Sequence, residues 1–130
     1  FRRAADQNNV DAIYNTGLAY VKGIGVNVDF AEAFKWFRKG ALQGDAGSQF
    51  NLGIMYVNGE GVVRDPVLAY AWFNQAADGK FPGAKGAMEV ARTSLTGEQA
   101  ASIDAVVEKI EASIEHPAPV SEGITVRQPL

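Results

Sequence analysis

Along the first 80 residues, apolar side chains recur every three or four positions, the period of a helix with one buried face. Two kinds of segment alternate. Tyr14, Gly17 and Tyr20 fall on adjacent turns of a helix predicted over Val10–Lys22, as do Phe50, Gly53 and Tyr56 over Ala46–Asn58. The second kind carries Ala33, Phe34, Trp36, Phe37 and Ala41, and again Ala69, Tyr70, Trp72, Phe73 and Ala77. This pattern predicts antiparallel helix pairs in an all-α chain. Boundary signals agree with it. Asp29, with Glu32 three residues on in a capping-box arrangement, and Asp65, followed by Pro66, are predicted N-caps. Gly23 and Gly59 stand where a helix ends in the left-handed conformation, and Gly25 and Gly61 permit the turn that follows.

The pairs are copies of one another. An offset of 36 aligns Gly17-Leu18-Ala19-Tyr20 with Gly53-Ile54-Met55-Tyr56, and Gly23-Ile24-Gly25-Val26 with Gly59-Glu60-Gly61-Val62. It also pairs Asn15 with Asn51, Trp36-Phe37 with Trp72-Phe73, and Gly47 with Gly83, and carries Phe1 and Arg2 onto Phe37 and Arg38. A mid-helix glycine costs about 1 kcal/mol against alanine, so Gly17 and Gly53 predict close approach of a neighbouring helix. The repeat region is expected to span 1–115: 1–9 closing a preceding unit, repeats at 10–45 and 46–81, and a degenerate unit with its cap at 82–115. In that last unit Glu89 and Arg92 replace the repeated glycine and tyrosine. Thr96-Gly97-Glu98-Gln99 reads as a capping box opening a final helix to about Glu115, with Ala100, Ile103, Val107, Ile110 and Ile114 on its apolar face and Glu108, Lys109, Glu111 and Glu115 opposite. Residues 116–130 hold three of the five prolines and are predicted to be extended.

Composition narrows the chemistry. Hydrophobic residues make up 47% and charged residues 21% of 130, which suits one globular domain. A net charge of −3 argues against a nucleic-acid binder, and no apolar run is long enough for membrane insertion. With no cysteine and a single histidine, disulfides, thiolate nucleophiles and Cys/His metal sites drop out. No cofactor or metal is expected.

The marks together resemble the Sel1-like repeat family, relatives of the tetratricopeptide repeats. The second unit carries the pattern in Leu52, Gly53, Tyr56, Gly59, Gly61, Val62, Asp65, Ala69, Trp72, Phe73, Ala76 and Ala77. The first departs from it at Thr16, where leucine is usual, and at Gly40, where alanine is usual. The resemblance implies a right-handed α/α superhelix, a solenoid of helix-turn-helix repeats closed by a C-terminal capping helix. By family habit it also implies an adaptor or scaffold binding a protein or peptide, in a bacterial periplasm or envelope or secreted. Only two complete units are present, so further units are expected before Phe1, with self-association through the N-terminal helix face or the C-terminal tail.

Candidate chemistry is sparse. The Gly-x-Gly turns follow helices rather than strands and lack the third glycine of a dinucleotide loop. His116 sits in the proline-flanked tail, away from any serine elbow. Glu108, Glu111 and Glu115 share a solvated face, leaving hydrolysis of carbohydrate or peptidoglycan the least favoured reading. Trp36 and Trp72 read as core, and Lys35, Arg38 and Lys39 as the coat of an outer helix face. In related solenoids the first helices line the concave surface. Carried over, that surface comprises Tyr14, Asn15, Leu18 and Lys22, then Phe50, Asn51, Ile54 and Asn58, flanked by Asp11, Gly86, Ala87 and Val90. Asn15 and Asn51 would hold a peptide backbone while Leu18 and Ile54 take its side chains. The alternative is a structural spacer within a larger envelope protein.

Overall fold

The computed structural model describes the backbone of residues 4–114 and the side chains of residues 9–114. These residues form α1 (Ala4–Lys22), α2 (Phe30–Leu42), α3 (Ala46–Asn58), α4 (Pro66–Asp78), α5 (Ala84–Thr93), α6 (Gly97–Ala101) and α7 (Ile103–Ser113), with no strand among them. Aspartates open three of the helices. The Asp29 carboxylate accepts from the Glu32 N–H at 3.1 Å, and Asp65 accepts from Val67 and Leu68, both at 3.1 Å. Asp45 caps α3 through the Ser48 N–H at 2.9 Å, a cap the pattern had not marked. The predicted box at Asp29 is only half made, because the Glu32 carboxylate turns to Lys35 Nζ at 3.2 Å. That at Thr96 is complete: Thr96 Oγ1 accepts from the Gln99 N–H and Gln99 Oε1 from the Thr96 N–H.

The turns repeat as closely as the sequence does. Gly23 N–H donates to Ala19 O at 2.7 Å and Gly59 N–H to Met55 O at 2.8 Å; Asp29 and Asp65 then close back on Tyr20 O and Tyr56 O, both at 3.0 Å. Each consecutive pair from α1 to α5 packs together, and α7 returns across α4. One core cluster centres on Phe37, Leu52, Met55 and Trp72 and the other on Tyr70 and Phe73. At Gly17 and Gly53 the expected close approach is present: a Cβ there would lie 2.8 Å from the Phe37 ring and 2.5 Å from the Phe73 ring.

Three expectations need revising. Helix α1 begins at Ala4 rather than Val10, since no glycine or proline interrupts that stretch. The last helix is two, because the Ser102 N–H and hydroxyl both turn onto Gln99 O, at 3.0 and 2.7 Å, and break the regular ladder. Ala100 is consequently exposed, while Ile110 and Ile114 are buried. The tryptophans also differ. Trp72 is buried in the core with Ile110 and Ile114, whereas Trp36 is half-buried with Lys39 Nζ 5.6 Å from its ring. The cause is position along the array: α7 lies across α4, where Leu68, Ala71 and Gln75 accompany Trp72, and Glu32, Lys35 and Lys39 accompany Trp36. The predicted tail, 116–130, and His116 lie outside the described residues, as do the side chains proposed for N-terminal self-association.

Candidate partner-binding face

The eight residues proposed for the first-helix face separate into packed and open groups. Tyr14 and Phe50, equivalent positions, are half-buried and lean on equivalent phenylalanines: Tyr14 edge-on to Phe37 at 5.8 Å and Phe50 tilted on Phe73 at 5.5 Å. Phe50 also meets Phe81 at 4.9 Å. Leu18 packs against the first core cluster and Ile54 against the second. Asn51 is occupied locally, its Nδ2 donating to Gly47 O at 3.0 Å and to Tyr14 Oη at 3.4 Å. Asn15, Lys22 and Asn58 are exposed, Asn58 with its Nδ2 3.5 Å from Glu60 Oε1. Of the two repeated amides, then, Asn15 is open to a partner and Asn51 already has two acceptors.

Of the flanking positions, Ala87 and Val90 come together with Ile54 at a cleft, and Asp11 and Gly86 lie outside its lining. An open cleft of about 360 Å³ lies where α3, the start of α4 and α5 meet, lined by Ile54 and Val57, by Phe73, and by Ala87 and Val90. Arg64 is its one charged lining residue, with its Nε donating to Val57 O at 3.2 Å. Val90, the third member of the Leu18–Ile54 series, is 71% exposed. Val57, Arg64 and Phe73 were not among the expected face residues. Comparing the units position by position finds Arg64, which replaces Val28, whereas Val57 and Phe73 repeat Val21 and Phe37 and carry no such signal.

The neighbouring electrostatics are mild. Burial pushes the Tyr56 phenol above its usual value, Arg38 drawing it down and Asp65 adding to the rise. Arg92 donates to Tyr70 Oη at 2.7 Å and lies 5.3 Å from that ring. Among the described residues no group of three or more His, Cys, Asp or Glu side chains could hold a metal ion, and no helix is long and apolar enough to cross a membrane.

Helical hairpins copied at a fixed offset and stacked on their neighbours define an α-helical repeat protein. The Sel1 repeat model matches residues 10–45 and 46–81, and the chain belongs to the Sel1 repeat family. Two solved bacterial structures are similar to it. One is c5321, a protective antigen present in uropathogenic Escherichia coli strains and displaying an SLR fold, with 32% identity and a TM-score of 0.76 over 86% of this chain. The other is a Sel1 repeat protein from Oxalobacter formigenes, with 36% identity and a TM-score of 0.61 over 67% of this chain. The chain spans 24% of the first and 36% of the second. No curated protein matches it.

Proposed function

We propose that this chain is a non-catalytic interaction scaffold that holds a peptide or protein partner on the face formed by its first helices. The observation that carries this reading is Val90, 71% exposed on the rim of an apolar cleft at a position where Ile54, one unit earlier, is packed. An open apolar cleft at α3–α5, with exposed polar residues on the first helices (Asn15 and Lys22 on α1, Asn58 on α3), suits side-chain capture with polar contacts elsewhere along a partner. Catalysis has no comparable support: the carboxylates Glu108 and Glu111 are exposed on α7, and Glu111 Oε2 accepts from Gln75 Nε2 at 3.3 Å as part of the cap.

Crosslinking capture from the source cells with Asn15→Lys and Asn58→Lys variants tests the reading. Both sites are exposed, so the fold tolerates the change, and partners held on this face are lost together. Capture of the same partners at undiminished yield by both folded variants refutes it.

A further inference from the structure

The cleft comes from a difference between two intervals of one repeat. Its lining residues, moved back 36 positions, fall between α1, α2 and α3, where the equivalent space is filled. Phe30 stands there for Pro66, Met55 for Ala91 and Asn51 for Ala87. Met55 is buried at 3% exposure, and Phe30 packs on the same cluster. The later interval has lost a phenyl ring, a thioether chain and an amide, and its cleft opens to solvent between Val57 and Val90. Charge changes at the same place. Val28 in the first interval becomes Arg64 in the second, anchored at the cleft by its Nε bond to Val57 O. Among the described residues no carboxylate pairs with Arg64.

We infer that this cleft is a socket for an acidic–apolar peptide: a large apolar side chain enters between Ile54, Phe73 and Val90, and an adjacent carboxylate pairs with Arg64. The inference rests on the interaction reading above and gives it a ligand chemistry. The missing bulk is that of side chains, and a volume of about 360 Å³ lies at the small end of ligand pockets. Arg64 is the only lining charge, so electrostatic complementarity asks for one anionic group. The open side lets a peptide backbone pass across the rim.

The test uses acetyl-Phe-Asp-amide as probe, titrated while methyl resonances of Ile54, Val57, Ala87, Val90 and Ala91 are followed by NMR. Saturable shifts at these methyls are expected, with binding roughly threefold to fivefold weaker for acetyl-Phe-Asn-amide. Arg64→Gln removes that difference. Ala91→Met, which copies Met55, fills the cleft and abolishes the shifts, and Ala87→Asn, which copies Asn51, is a second filling variant should the first fold poorly. Equal binding of the Asp and Asn probes, undiminished binding by folded filling variants, or saturation by decanoate without any by the peptide overturns the proposal. If Asn15→Lys and Asn58→Lys lose their partners while the peptide never shifts these methyls, the scaffold reading stands and the socket falls.

Discussion

Replacing Gly53 by alanine should destabilise the protein, although alanine is the better helix former. The helix-propensity gain is about 1 kcal/mol. Against it, the new Cβ would sit 2.5, 2.6 and 3.0 Å from Cε1, Cδ1 and Cζ of Phe73. Phe73 is 3% exposed, and Phe50 lies 5.5 Å away ring to ring, so the ring has little room to yield. Overpacking of this kind costs ~1–3 kcal/mol, which leaves a net loss of up to about 2 kcal/mol, centred on about 1 kcal/mol. Gly86 is the internal control. It too is helical, in α5, but nothing lies within 4 Å of its Cβ position, so Gly86→Ala should stabilise by up to ~1 kcal/mol. Urea unfolding at fixed temperature measures both. Phe73→Leu then closes the cycle, because Gly53→Ala should cost less where the ring is gone. If Gly53→Ala raises stability as much as Gly86→Ala, close helix approach is not why this glycine is present.

Other substitutions separate positions that the repeat makes formally equal. Trp72→Ala should cost ~3–5 kcal/mol and Trp36→Ala about 1 kcal/mol, because only Trp72 is buried with α7; equal losses in thermal melts refute the asymmetry. Gly40→Ala should clash with Ser48 Oγ and destabilise by about 1–2 kcal/mol. Adding Ser48→Ala recreates the Ala76–Ala84 pair of the next interval and should recover part of that loss, whereas additive losses in the double variant count against a steric conflict. Tyr56 has a raised folded-state pKa, so its contribution is fully present below the unfolded value of 10.0 and is lost as pH rises through the folded value. Denaturation midpoints between pH 8 and 11 should therefore fall less steeply for Tyr56→Phe than for the parent, and parallel curves contradict the burial.

The period, the caps and the glycines were legible because each is a local requirement, met by one residue at a fixed distance from the next. Interfaces between units were harder to read, because two residues far apart in sequence must be changed together. Arg92 resembles a lost repeat mark when set against Tyr20 and Tyr56. In space it belongs to a pair: Phe34 meets Tyr56 edge-on at 5.7 Å, and one unit later Tyr70 meets Arg92 at 5.3 Å with a hydrogen bond of 2.7 Å. Glu89 follows the same logic. It occupies the position of Gly17 and Gly53, but Lys109 stands where Phe37 and Phe73 would, and both residues are exposed, so no ring demands a glycine.

Paired changes of this sort keep an interface closed, and the Gly40–Ser48 and Ala76–Ala84 exchange is another, bulk moving from one residue to its partner. Pro66 and Ala91 break that rule. Relative to Phe30 and Met55 both become smaller; Asn51, Ile54 and Asn58 likewise give way to Ala87, Val90 and Ser94, and the one lining side chain that grows, Val28 to Arg64, is tied to Val57 O. Unpaired loss of bulk in a repeat whose other contacts are compensated lowers packing without lowering regularity. The cap shows that the chain can cover apolar surface where it must, with Ile110 and Ile114 buried alongside Trp72. Along the cleft, five of the nine lining side chains are smaller than their counterparts one unit earlier and one, Arg64, is larger and cationic, so loss of bulk and gain of charge coincide at one place.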